Sequence, residues 1–152
     1  CVCIFMVLIY GVFGLLANIS LIANLFIIVS LLGMIGATLT LPGIAGIVLT
    51  IGIAVDANVL VFERIKEELP KNSKAMQSVK NGFDKAISTI LDANITTLIA
   101  ALILFVFGSG PIKGFSITLS LGILASMFTA IIFTNFLIHV WFSFSKKKEI
   151  IL

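Results

Sequence analysis

Residues 43–69 read GIAGIVLTIGIAVDANVLVFERIKEEL, and this stretch decides what kind of protein the chain is. Most of it has the apolar, Gly- and Val-rich character of a helix buried in lipid. In its middle stands a carboxylate, Asp56, with Asn58 close behind. An acid near the bilayer centre costs ~2.5–3.5 kcal/mol on insertion scales, so such residues face a bundle interior or a water path and mark ion or proton routes. At its C-terminal end the helix turns polar in Glu63, Arg64, Lys66, Glu67 and Glu68. There it leaves the membrane and continues for a turn or two in water.

Working outward, the 152 residues are 60% hydrophobic and only 11% charged, with a mean hydropathy of +1.24. Soluble domains carry roughly 25% charged residues, so this is an integral membrane chain. At ~20 apolar residues per crossing there is room for about five spans joined by short loops. The fold expected is an all-α, polytopic helical bundle, one membrane domain over residues 1–152. The net charge of +3 points to no nucleic acid; the expected surroundings are membrane lipid, and the placement of the charges matters more than their sum. Cys1 opens the chain inside an apolar run, which reads as a first helix cut short. Cys1 and Cys3, two apart, point to nearly opposite sides of a helix and are poorly placed to bridge each other.

Residues 1–40 are almost continuously apolar. A first helix ending near Tyr10, a turn over residues 11–17 and a second span over 18–34 are expected. Residues 37–42 form a connection, with Pro42 in the first turn of the central helix, where a missing N–H does no harm. Gly43, Gly46 and Gly52 are small positions that let neighbouring helices approach. Pro70 ends the central helix. The segment 63–85 is the one water-facing stretch. Within it, Ser73 caps a short amphipathic helix, with Met76, Val79, Phe83 and Ile87 on its apolar side, lying at the membrane surface. The chain re-enters the membrane from Ala86, turns at Gly108-Ser109-Gly110-Pro111, and makes its last span over 115–142. Trp141, Phe142 and Phe144 form an aromatic belt, followed by Lys146, Lys147 and Lys148. If the spans alternate, every lysine and arginine but Lys113 falls on one side, so by the positive-inside rule segment 63–85 and the C-terminus are cytoplasmic.

The Asp-Ala-Asn triplet of residues 56–58 recurs at 92–94. Asp56 lies eight residues inside Arg64, roughly 12 Å of helix, and Asp92 seven inside Lys85, roughly 10 Å. On consecutive antiparallel helices the two acids share a depth. With Asn58, Asn94, Thr96 and Thr97 they can form a polar layer in a greasy bundle. Asn58 lies about 200° round from Asp56, so the two cannot face one partner. Desolvation favours the neutral form of a carboxylate, and a second acid nearby favours it further. Such a group loads and releases a proton as its access to water changes, so Asp56 and Asp92 are the candidate proton-transfer residues. The bland alternative is a hydrogen-bonded helix contact at each Asp. Glu63, Arg64 and Glu67 form a candidate contact surface for a partner. His139 reads as an interfacial imidazole, and the depth of Asn135 is open.

The runs LTLPGIAGIVLTIGIAVDANVLVFERIKEEL, STILDANITTLIAALILFVFGSGPIKGF and LGILASMFTAI closely resemble the membrane region of the SecD/SecF family of bacterial protein-export subunits. The likeness spans nearly everything after about residue 14. It implies a membrane fold like that of proton-driven RND efflux pumps, in which two such halves pair. It also implies an auxiliary export motor of the bacterial inner membrane, using the proton-motive force in late steps of preprotein translocation. Asp56 then matches the family's intramembrane acid. The implied partners are a SecF-like pair subunit, the Sec translocation channel and the exported unfolded polypeptide, the last through a periplasmic domain not in this chain. No enzyme activity, metal or cofactor is implied beyond protons as coupling ion. The family commonly carries a basic residue soon after the tyrosine, where this chain has Gly11, Val12 and Phe13. Three other readings compete: an RND-type small-molecule exporter sharing the membrane fold, a non-conducting scaffold, and an intramembrane aspartyl protease, disfavoured by Ile53-Ala54-Val55 before Asp56.

Overall fold

A computed structural model describes residues 1–71 and 74–144. Within them six α-helices follow one another: α1 (Val2–Tyr10), α2 (Val12–Ile35), α3 (Leu41–Glu68), α4 (Ala75–Phe107), α5 (Pro111–Phe128) and α6 (Thr134–Phe144). A 3-10 turn (Leu69–Lys71) follows α3, and a π-turn (Thr129–Phe133) joins α5 to α6 into one continuous rod. Four stretches are long and apolar enough to cross a membrane: Val12–Ile35, Leu41–Lys71, Met76–Phe107 and Pro111–Phe144. The expected number was about five; α1, nine apolar residues long, is the short fifth helix. An all-helical bundle is the physical consequence of lipid, where each backbone polar group must find its partner inside its own segment.

Several boundaries differ from the sequence reading. The first turn is a single residue, Gly11, whose φ of 54° is open to glycine at little cost. Residues 12–17 are already helical. Asn18 and Ser20 do not break α2, because their side chains are satisfied across helices. Asn18 Nδ2 donates to the Cys3 carbonyl at 3.0 Å, and Ser20 Oγ lies 2.9 Å from Thr134 Oγ1. Helix α2 ends at Gly36 (φ 66°), with the Ala37 amide bonded back to Leu32. Thr40 caps α3 by accepting from the Gly43 amide at 3.2 Å, and Pro42 stands in the first turn as expected.

No separate surface helix precedes the next span. Helix α4 runs unbroken for 33 residues through Ala86. Half of the expected amphipathic stripe is inside the protein: Val79 and Phe83 are buried against α3 with Phe62 and Ile65, while Ile87 is half-buried and Met76 exposed. Gly82 makes this possible, since a Cβ there would sit 2.6 Å from the Ile65 backbone. The expected cap Ser73 and the lysines 146–148 lie outside the described residues; Lys74 directly precedes α4. The last span starts at Pro111, earlier than expected.

Helix α3 is the axis, flanked by α4 and α5, while α2 packs mainly on α5 and carries α1. The largest core lies where α3 and α4 meet α1, α2 and α6. Phe13 stacks edge-on against Phe62 (5.6 Å) and Trp141 (5.4 Å). Trp141 and Phe142 therefore pack against the core, and of the expected belt only Phe144 is fully outward. At the other end Gly43 and Gly46 lie against Thr118 of α5, as small-residue packing requires. Gly52 does not: nothing lies within 4 Å of where its Cβ would be. Its place is taken by Gly122, where a Cβ would meet Thr50 at 2.2 Å.

Candidate functional site

Asp56 stands on the face of α3 turned toward α4. It lines an open cleft of about 190 Å³ with Leu60 below it and Thr89, Ala93, Asn94 and Thr97 across from it. Asp56 itself is exposed, while Asn94 across from it is buried. The level of the cleft on α4, residues 89–97, confirms that the two Asp-Ala-Asn triplets share a depth.

The two acids nevertheless do not meet. Asp92 is exposed and does not line the cleft. It stands two residues from both Ile90 and Asn94, roughly 200° round the helix from each, and those two form the face turned to α3. The same geometry separates Asp56 from Asn58 on α3. The two triplets are thus used in opposite senses. On α3 the acid faces the cleft and the amide faces the core; on α4 the amide faces the cleft and the acid faces out. Thr97 lines the cleft, its hydroxyl donating to the Ala93 carbonyl at 2.9 Å. Thr96 is exposed on the Asp92 side and donates to the Asp92 carbonyl at 2.8 Å. The expected single polar layer resolves into Asp56, Asn94 and Thr97 in one place, with Asp92 and Thr96 outside it.

Asn58 belongs to a second polar constellation that sequence reasoning missed. Thr134 Oγ1 donates to Asn58 Oδ1 at 3.0 Å, lies 3.0 Å from the Thr129 carbonyl, and meets Ser20 Oγ at 2.9 Å. Its one hydrogen serves either acceptor, and Ser20 supplies the remaining bond. Ser20, Asn58, Thr129 and Thr134 are all buried. One turn along α2, Asn24 is fully buried, and neither its Nδ2 nor its Oδ1 has a hydrogen-bond partner among the described residues. This seam ties α2 and α3 to the π-turn, a feature that concentrates at functional sites. The signal available in the sequence was Ser126, Thr129 and Thr134 recurring through an otherwise apolar span.

At the polar end of α3, Arg64 Nη1 pairs with Glu67 at 2.9 Å. Glu63 does not join that pair; it accepts from the Tyr10 hydroxyl at 2.7 Å, tying α3 to α1. Glu68, nearly buried, takes Lys71 at 3.3 Å and Lys85 together, fastening the start of α4 to the end of α3. Among the described residues no group of three or more His, Cys, Asp or Glu is placed to hold a metal.

Four long apolar helices, the central one carrying a mid-span carboxylate at a polar cleft, define a multi-pass helical membrane domain. The SecD/SecF C-terminal model of protein export membrane proteins matches residues 1–144, and the chain belongs to that family. It is 58% identical over 149 residues to the protein translocase subunit SecD of Rickettsia prowazekii, covering 98% of this chain and 29% of that protein. Against its counterpart in Desulfurispirillum indicum the identity is 66% over 134 residues, 88% of this chain and 26% of the relative. The crystal structure of SecDF, a translocon-associated membrane protein from Thermus thermophilus, superposes with a TM-score of 0.91 at 42% identity, over 97% of this chain and 21% of that one. SecDF in its super-membrane-facing form gives 0.89 at 41% identity, over 99% and 21% of the two chains. The chain thus spans under a third of the length of these relatives.

Proposed function

We propose that this chain is the membrane region of a subunit of the bacterial Sec protein-export machinery, and that it passes protons to promote late steps of preprotein translocation across the inner membrane. In this reading it acts as a conduit rather than an enzyme, with protons as coupling ion and no cofactor. Its partners are a SecF-like pair subunit, the Sec channel and the exported polypeptide, the last gripped by a domain beyond this chain. Segment 63–85 and the C-terminus face the cytoplasm.

One observation carries the reading: Asp56, in mid-span, borders an uncovered cleft opposite Asn94 and Thr97. Left facing lipid, a carboxylate at that depth costs ~2.5–3.5 kcal/mol. A pair subunit or a water path over the cleft removes that cost, and either gives the carboxylate a route for protons. Helix α4 is the least enclosed of the four, with 17% of its most apolar window buried, which leaves the largest face for a pair subunit beside the cleft.

The test is Asp56→Asn in the full-length protein, assayed in inverted membrane vesicles. The amide keeps the size and removes titration. Proton-gradient stimulation of export is expected to vanish while insertion and complex assembly stay normal. Stimulation that persists in the variant overturns the proton role and leaves a packing scaffold.

A further inference from the structure

A second groove, of about 310 Å³, lies away from the Asp56 cleft, between the first three turns of α4 and helix α6. We propose that it binds the headgroup of a phospholipid bearing a primary ammonium, of the phosphoethanolamine class.

Lys80 and Asp84 stand one turn apart on α4, both exposed and both lining the groove. Among the described residues neither enters an ion pair; Lys85, next along the chain, is drawn the other way to Glu68. Opposite them on α6 is His139, whose Nδ1 lies 2.9 Å from the Asn135 carbonyl oxygen. A carbonyl only accepts, so Nδ1 carries the hydrogen, and in the neutral ring Nε2 is left as a bare acceptor. Among the described residues no other titratable group lines the groove. It therefore presents one cation, Lys80, and two acceptors, the Asp84 carboxylate and His139 Nε2.

That set is complementary to a zwitterion. A phosphate suits the Lys80 ammonium, and a primary ammonium one ethylene unit away brings N–H donors for Asp84 and His139. A choline headgroup has the charge but no N–H to give, and a glycerol headgroup has no cation for Asp84. The source of the ligand is set by the walls. Met76, Phe83 and Ile87 line the groove with apolar surface, Met76 being 44% exposed. The groove also lies where α4 and α6 pass from apolar to polar sequence. Its polar end meets water, and toward Ile87, where α4 turns apolar, acyl chains adjoin it.

The experiment is native mass spectrometry of the full-length protein released from detergent with added dioleoyl phosphatidylethanolamine, phosphatidylcholine or phosphatidylglycerol. Phosphatidylethanolamine is expected to be retained about tenfold better than either of the others, the scale set by a charge-assisted hydrogen bond. Asp84→Asn is expected to bring it down to the phosphatidylcholine level, and Lys80→Gln to lower both lipids together. Equal retention of the three lipids in the unmodified protein overturns the proposal, as does an Asp84→Asn variant that keeps the preference. Free phosphoethanolamine competing as well as the lipid overturns the membrane source. Loss of the preference on assembly with a pair subunit means that a protein covers the groove, and overturns it too.

Discussion

Thr134 donates its hydroxyl to the Asn58 side chain at 3.0 Å, and so joins the helix that carries Asp56 to the π-turn of the last span. Asn58 lies two residues from Asp56 and on the opposite face of α3. Any rotation or slide of α3 that accompanies a change at the cleft has to be accommodated by this bond. The π-turn also offers Thr134 a second acceptor, the Thr129 carbonyl at 3.0 Å. The hydroxyl can exchange one for the other without leaving its hydrogen unbonded.

Thr134→Val removes the hydroxyl and keeps the shape. Asn58 and Ser20 are then left buried without their partner, which costs about 1–3 kcal/mol. Thr134→Ser should restore most of it. Thermal unfolding of the full-length protein in detergent reads the difference; equal melting of the two variants would mean that the seam adds no stability.

Asp92→Asn is expected to reduce proton-gradient-dependent export far less than Asp56→Asn. The acid at 92 faces away from α3 and shares no cleft with Asp56. Export assays in inverted vesicles decide it. An equal loss for the two variants would show that the acids titrate as one unit through a surface supplied by a partner.

Gly122→Ala and Gly52→Ala should behave oppositely, though both glycines lie in apolar spans. At Gly122 the new methyl meets Thr50 at 2.2 Å and must push α5 from α3, at about 1–3 kcal/mol. At Gly52 it meets nothing. The latter should be neutral, or stabilising through helix propensity. Comparing the two melting temperatures checks the α3–α5 contact directly.

Tyr10→Phe keeps the ring against Phe62, 5.5 Å away, and loses only the bond to Glu63. The expected loss is about 1–2 kcal/mol, since the acceptor is a partly buried carboxylate. Tyr10→Ala also empties a core position and should cost about 3–5 kcal/mol. A Tyr10→Phe variant as unstable as Tyr10→Ala would place the energy in the hydroxyl rather than the ring.

Orientation is open to cysteine labelling in a full-length background with Cys1, Cys3 and any other cysteine replaced. Lys74→Cys should react with a membrane-impermeant reagent only from the cytoplasmic face, and Lys113→Cys only from the other. Lys113 stands alone among the charges of its end, its ammonium 4.9 Å over the Phe105 ring. Labelling of both from one side would contradict the alternation of the spans.

The sequence by itself determined that this is a membrane bundle, where its central helix lies, that Asp56 stands in the middle of that helix, and that the two acids share a depth. Those conclusions rest on composition, run length and rise per residue, which are properties of one helix at a time. The family likeness was also legible, in the order of its long motifs. Helix ends were read less well, because polar residues such as Asn18 and Ser20 look like breaks until their cross-helix partners are known. The tertiary structure alone decided which face of each helix meets which neighbour. It turned Asp92 away from Asp56, put Asn94 and Thr97 beside the acid, and gave Asn58 to Thr134. It also buried the stripe of Val79 and Phe83 that amphipathic spacing had assigned to the membrane surface. Periodicity fixes the angle between two residues on one helix but not the rotation of that helix against the next. In this bundle that rotation is set by close approaches at Gly82 and Gly122 and by hydrogen bonds between residues far apart in the chain, Ser20 to Thr134 with a separation of 114 and Thr134 to Asn58 with one of 76.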